Sequence, residues 1–280
     1  LLFFKKRIFR IFLLMWFVII LQSFLLFLYY QKTPYSLYVY FINFTGLFGF
    51  IEPSGGIPNA AWSIGNELVF YSFFPYIVYW FRKNKILFSL FILATLLFYI
   101  YYAYYLFDNQ NIYNDEIWDL YINPFNQIFL FFGGMLIYIM FYKMLFPKLL
   151  IFFLLILGVL TFVFYPTDAR NRMELISGHG RIVFTISSFL LCVSMLKLNY
   201  PLPKLIHKFL KFFGEISYSV YLLHLLVQIT LGKILLKMLP DTIFYKYIMI
   251  IILTVATVFV SNYTYRFVEK KGIKLGNLTK

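Results

Sequence analysis

The chain has 280 residues, of which 62% are hydrophobic and 13% charged, and its formal net charge is +14. Soluble domains carry about 25% charged residues, so this balance excludes an ordinary soluble domain. Such a charge in a soluble protein would point to nucleic acid, but here the basic residues cluster in short loops between apolar runs, which is the positive-inside pattern of a multi-pass membrane protein.

Leu1–Arg10 reads LLFFKKRIFR. It opens mid-pattern rather than on Met, so a truncated N-terminus is expected, and Lys5, Lys6, Arg7 and Arg10 mark the cytoplasmic side. The parts of a signal peptide are not all present. Ile11–Tyr30 is a run of 20 uncharged residues, long enough to cross about 30 Å of hydrocarbon from inside to outside. Residues 35–51 are apolar but short, and EPSGGIPNA follows, rich in helix breakers. Orientation decides how to read them. Glu67–Phe81 ends at Arg82, Lys83 and Lys85, which belong inside, so residues 31–65 are read as one outer excursion that does not span.

Six more runs then alternate. Ile86–Phe107 leads outward to a loop, 108–124, holding Asp108, Asp115, Glu116 and Asp119. Ile128–Phe146 returns near Lys143 and Lys148, and Leu149–Tyr165 goes out to a loop with Asp168, Arg170, Arg172, Glu174 and His179. Ile182–Leu196 comes in to a loop, 197–213, carrying Lys197, Lys204, Lys208 and Lys211. Ile216–Leu236 and Phe244–Tyr265 complete the set, and Arg266, Lys270, Lys271, Lys274 and Lys280 close the chain inside. The expectation is an all-α, polytopic helix bundle of about eight spans, with both ends cytoplasmic. Cys192 is the single cysteine, which excludes an intrachain disulfide.

Three stretches could carry chemistry. In Trp62–Pro75, WSIGNELVFYSFFP, Ser63 is placed to cap a helix start. Glu67 is expected in its first turn, where the positive helix end favours an anion. Phe70, Tyr71 and Phe74 share the face of Glu67. Pro75 brings no N–H to the carbonyl of Tyr71. A carboxylate in a membrane segment costs about 2.5–3.5 kcal/mol on insertion scales and marks a candidate site. A second reading is a capped helix start at the outer interface, with Glu67 in water. Arg7 and Arg10, at spacing i, i+3, can face one way and grip one phosphate; equally, they can anchor the helix on the inner side. In Gly214–Val227, Ser217, Tyr221 and His224, with Gln228 beyond, form a polar stripe on one helix face, suited either to a substrate path or to helix–helix hydrogen bonding. His179 and His207 read as loop and surface residues. The histidines and the cysteine have no metal-ligand spacing, so no metal is expected, and no Gly-rich phosphate loop is present.

These stretches resemble the blocks of the membrane acyltransferase-3 family, whose members O-acetylate sugars of bacterial envelope polysaccharides. WSIGNELVFY matches at Trp62, Ser63, Glu67, Phe70 and Tyr71; GEISYSVYLLH at Gly214, Ser217, Tyr218, Tyr221 and His224; KKRIFRIF at Arg7 and Arg10; and the closing YRFVEKKG at Glu269. Order and spacing fit along essentially the whole chain. Gly65 and Asn66 depart from the family's usual residues. The resemblance implies one membrane-embedded acyltransferase domain over residues 1–280, lacking the family's first two spans and, with them, an Arg and a His taken to be catalytic. It implies a multi-pass protein of the bacterial inner membrane. Acetyl-CoA would be the donor, bound through Arg7 and Arg10, and a carbohydrate the acceptor, met by Glu67 and Trp62. Tyr218, Tyr221 and His224 would line the donor path. No nucleic-acid partner is implied. The competing class is a transporter or flippase that moves a lipid-linked sugar unmodified, using Glu67 and His224 as relay groups. A polysaccharide polymerase would be expected to carry a large polar outer loop.

Overall fold

The computed structural model describes residues 2–107, 114–167, 173–199, 201–240 and 242–278. Asp108, Asp168, Arg170, Arg172 and Lys280, and the side chain of Asp115, lie outside the described residues. In chain order the helices are α1 (Leu2–Tyr30), α2 (Leu37–Thr45), α3 (Phe48–Ile51), α4 (Trp62–Lys83), α5 (Lys85–Tyr101), α6 (Asn114–Ile122), α7 (Pro124–Phe141), α8 (Lys148–Phe164), α9 (Met173–Ile176), α10 (Gly178–Lys197), α11 (Lys204–Met238), α12 (Ile243–Thr264) and α13 (Lys270–Asn277). Two π turns, Tyr102–Leu106 and Tyr265–Glu269, extend α5 and join α12 to α13. Among the described residues the fold is all-α, and the protein is a multi-pass membrane protein.

Among the described residues six helical stretches are both long and apolar enough to cross a membrane: Leu2–Tyr30, Lys85–Leu106, Glu116–Phe141, Gly178–Lys197, Lys204–Met238 and Ile243–Asn277. The two other expected spans have their own physical reasons for falling short. The helix α4 has 22 residues, but Ser63, Asn66 and Glu67 reduce its apolarity. The helix α8 has 17 residues, about 25 Å at 1.5 Å per residue. Residues 35–51 form helices of 9 and 4 residues, broken at Gly46 in the left-handed conformation, so neither can cross.

Several boundaries differ from expectation: the expected loops 108–124 and 166–180 hold α6 and α9, so Glu116 and Asp119 lie on α6 and Glu174 on α9. The lysines of 197–213 are not in a loop: α11 begins at Lys204, so Lys204, Lys208 and Lys211 lie on a 35-residue helix. Pro203 precedes that helix, and nothing in KLIHKFLK breaks it. His179 is likewise helical, within the first turn of α10, where its Nδ1 lies 3.1 Å from the Tyr104 hydroxyl.

The chain forms two compact units, residues 1–65 with 202–280 and residues 66–201. In the first, Leu14, Met15, Val18 and Ile19 of α1 and Ile216, Leu222 and Leu223 of α11 are buried. Asn43, fully buried, fixes the breaker-rich segment: its amide nitrogen donates to the carbonyls of Val39 and Gly55, and its oxygen accepts from the Ile57 N–H at 2.7 Å. A Cβ on Gly65 would come within 2.9 Å of the Gly49 Cα, and this close crossing of α3 and α4 accounts for the glycine at that family position.

The helix α13 lies against α1 through Gly272 and Gly276, small residues one turn apart that let helix backbones approach. A Cβ on Gly272 would stand 2.4 Å from the Phe9 carbonyl oxygen, a backbone atom that cannot rotate away. Gly272→Val should therefore destabilise by about 1–3 kcal/mol. Thermal unfolding in detergent reads this as a lowered midpoint; an unchanged midpoint would mean that α13 does not pack this closely.

In the second unit Ile77, Phe88 and Phe132 centre a cluster with Phe74, Trp80 and Phe91. Phe91 meets Phe132 edge-on at 4.9 Å. Lys197 is buried where α10 ends, and its ammonium donates to the carbonyls of Tyr142 and Met144 at 2.9 and 2.7 Å. A cation at the C-terminal end of α7 meets carbonyls that the helix itself leaves unsatisfied.

Candidate functional site

In the first unit the structure gathers residues from the four blocks that the sequence holds far apart. The π turn Tyr265–Glu269 carries the Glu269 carboxylate to a fully buried position between α1 and α11. Its Oε2 accepts from the Ser219 hydroxyl at 2.7 Å, and its Oε1 lies 4.0 Å from the Arg10 Nε. Among the described residues Oε1 has no hydrogen-bond partner, and Arg10 is the cation that compensates this buried carboxylate. π turns are often found at functional sites.

From the preceding residue of α11, the Tyr218 hydroxyl donates to the Ile11 carbonyl at 2.8 Å, which fixes α11 against α1 beside the arginine pair. The Tyr221 hydroxyl donates to the Ala60 carbonyl at 2.5 Å and accepts from the Ser63 hydroxyl at 2.6 Å. Ser63 is thus inside the first turn of α4 and is not its cap. A short 3-10 turn, Asn59–Ala61, delivers the chain so that α4 begins at Trp62, which is partly buried. This corrects the expected register: Glu67 is the sixth residue of α4, in its second turn, away from the free N–H groups of the helix start.

Arg7 and Arg10 face one way, as their spacing predicts. With Phe3, Lys6, Ile273 and Asn277 they line a cavity of about 310 Å³ between α1 and α13. Arg7 also lies over the Phe3 ring at 5.7 Å. Three cationic side chains around one opening make it suited to a phosphate-bearing ligand.

The polar stripe of α11 divides. Ser217 is exposed and its hydroxyl donates to the Gly214 carbonyl of its own helix. The His224 Nδ1 lies 2.6 Å from the Tyr221 carbonyl, also within α11. His224 and Gln228 line a separate cavity of about 310 Å³ with Thr254 and Thr257 of α12. In the second unit Glu67 is half-buried, and its Oε1 accepts from the Tyr71 hydroxyl at 3.0 Å. Buried Asn66 donates to the Ile122 carbonyl at 3.0 Å and ties α4 to the end of α6.

Sequence reasoning missed Ser219, which sits between the positions of the stripe, and it noted Glu269 only as a matching terminus. Among the described residues no three His, Cys, Asp or Glu side chains assemble a metal site.

The model of an acyltransferase domain matches residues 1–266. No curated protein and no solved structure matches the chain. The match takes in the arginine pair, the start of α4 and the α11 block, and within the first unit α11 meets Ser63 through Tyr221, Ile11 through Tyr218 and Glu269 through Ser219; the chain belongs to the acyltransferase-3 family.

Proposed function

We propose that the protein is an O-acyltransferase of the bacterial inner membrane, moving an acetyl group from cytoplasmic acetyl-CoA to a hydroxyl of an envelope sugar. The observation that carries this reading is the cationic cavity of Lys6, Arg7 and Arg10, which suits the phosphates of coenzyme A. Tyr218 and Glu269 hold the walls of that cavity in place. Glu67 and Tyr71 present a carboxylate and a phenol that can hydrogen-bond a sugar hydroxyl, and Trp62 an aromatic face on which a sugar ring can stack. Ser63 and Tyr221 brace the start of α4, while Ser217 and His224 are assigned to the donor path. In the reaction the hydroxyl oxygen attacks the thioester carbonyl, a C–O bond forms, the C–S bond breaks, and the hydroxyl proton leaves to a base.

The test is mass spectrometry of surface polysaccharide from cells with and without the protein. An acetyl mass that disappears on deletion, and is restored less fully by Arg7→Ala than by the parent protein, is the expected result. An unmodified polysaccharide whose export fails would replace this reading with transport. In vitro, Arg7→Ala should weaken acetyl-CoA binding about tenfold, the loss of one charge-assisted contact.

A further inference from the structure

Arg181 has no part in the reading above, and its environment is unusual for a cation. It lies in the first turn of α10, at the positive end of the helix dipole, with no acidic residue in that turn. Its residue is 7% exposed. Its guanidinium donates to the carbonyls of Asn126 at 2.9 Å and Ile176 at 3.4 Å, and it lies over the Tyr99 ring at 4.4 Å. Those partners supply dipoles but no negative charge. Among the described residues neither ion pair includes Arg181. A buried charge without a counter-charge is costly, so an anion that reached it would be held strongly.

The structure also provides a route to it. Arg181 heads a groove of about 340 Å³ between α7 and α10. Arg181, Thr185, Ser188, Phe189 and Cys192 follow one face of α10 at helical spacing, and Gln127 lies opposite on α7. Gln127 and Thr185 line the arginine end beside apolar Leu175 and Ile176, and Leu130, Ser188 and Phe189 follow toward the exposed Cys192. From Arg181 to Cys192 the groove runs about 16 Å, at 1.5 Å per residue. A soluble anion would use only its head. A charged end followed by an apolar trough, on a helix long enough to span the bilayer, fits an amphiphile lying in that bilayer. Arg181 is the fourth residue of the span, close to one of its ends, from which a long side chain can reach the interface.

We propose that this groove binds the phosphate head of a membrane lipid, with Arg181 gripping the phosphate and an acyl chain lying along α10 toward Cys192. Cys192 is the chain's single cysteine, so it reports on this groove alone. The protein is purified in neutral detergent, and alkylation of Cys192 by N-ethylmaleimide is followed by intact mass. Dioleoyl phosphatidic acid should slow the reaction; dioleoylglycerol, with the same chains and no phosphate, should not. Inorganic phosphate should neither protect Cys192 nor displace the lipid. Arg181→Gln should raise the half-protecting lipid concentration about tenfold or more, as loss of a buried charge partner does. Should that variant fail to fold, Ser188→Phe fills the groove and leaves Arg181 in place, and the ratio of the rate with phosphatidic acid to the rate without it should rise to about one. Equal protection by the glycerolipid, displacement by inorganic phosphate, or a ratio unchanged in a folded variant overturns the proposal.

Discussion

Arg10→Ala should cost both donor affinity and stability, whereas Arg7→Ala costs donor affinity alone. The difference lies in Glu269. Its carboxylate is fully buried, and among the described residues the cation paired with it is Arg10, at 4.0 Å. The Arg10 side chain is 44% exposed, so the attraction between the two is screened and the pair itself contributes little. What matters is the carboxylate left behind. Removing one partner of a buried pair leaves an uncompensated charge, worth 3–5 kcal/mol in full burial and about 2 kcal/mol after discounting for the solvent at Arg10. Glu269→Gln keeps the volume and an oxygen to accept from Ser219, so its stability should stay near that of the parent protein. It releases Arg10, however, and the KM for acetyl-CoA should rise about tenfold with kcat little changed. The double variant Arg10→Ala with Glu269→Gln separates the effects. Its midpoint should recover to that of Glu269→Gln, while donor binding stays as weak as in Arg10→Ala. A double variant no more stable than Arg10→Ala would remove Glu269 from this role.

Much of this arrangement is legible in the sequence, and the parts that are not have identifiable causes. Long apolar runs announce α1, α5, α11 and α12, because length and hydropathy are all that a span requires. The blocks at Arg7, Trp62, Tyr218 and Glu269 are visible as words, but not their meeting. The hydrogen bond from Tyr218 to Ile11 joins residues 207 apart. Ser219 escaped because a period of 3.6 on α11 assigns it to a different face from Ser217, Tyr221 and His224. The π turn before α13 changes the helical phase, so periodicity carried along α12 cannot place Glu269. Arg181 escaped for another reason. A charge beside an apolar run reads as its end, and the expected span began at Ile182, one residue after the side chain that heads the groove. The start of α4 was misplaced because Ser63 suits a cap, and only the preceding 3-10 turn shows that the helix has already begun.

Glu67→Gln should abolish most acyl transfer while leaving the protein inserted and folded. The amide keeps the length of the side chain and an oxygen that can accept from the Tyr71 hydroxyl, now 3.0 Å from Oε1. Asn66 and Phe70, both buried, hold this part of α4 whatever stands at position 67. Asn66 does so through the Ile122 carbonyl, and Phe70 through Phe131, whose ring centroid is 5.0 Å away. The thermal midpoint should therefore stay within about 0.5 kcal/mol of the parent protein's stability. What the substitution removes is the charge that can orient an acceptor hydroxyl and draw on its proton. A positioned acid or base contributes about 10²–10⁴-fold to such a step, so the rate should fall by at least about a hundredfold. Tyr71→Phe provides the scale: it takes one hydrogen bond from the carboxylate and leaves the charge, and its loss should be about tenfold or less. Acetylation of surface polysaccharide by cells carrying each variant measures both. If Glu67→Gln acetylates at the parent rate, the carboxylate is a solvated residue of α4 and the acceptor is held elsewhere. If both variants fall equally, the hydrogen-bonded pair acts as a unit, with Tyr71 holding Glu67 in the orientation the acceptor needs.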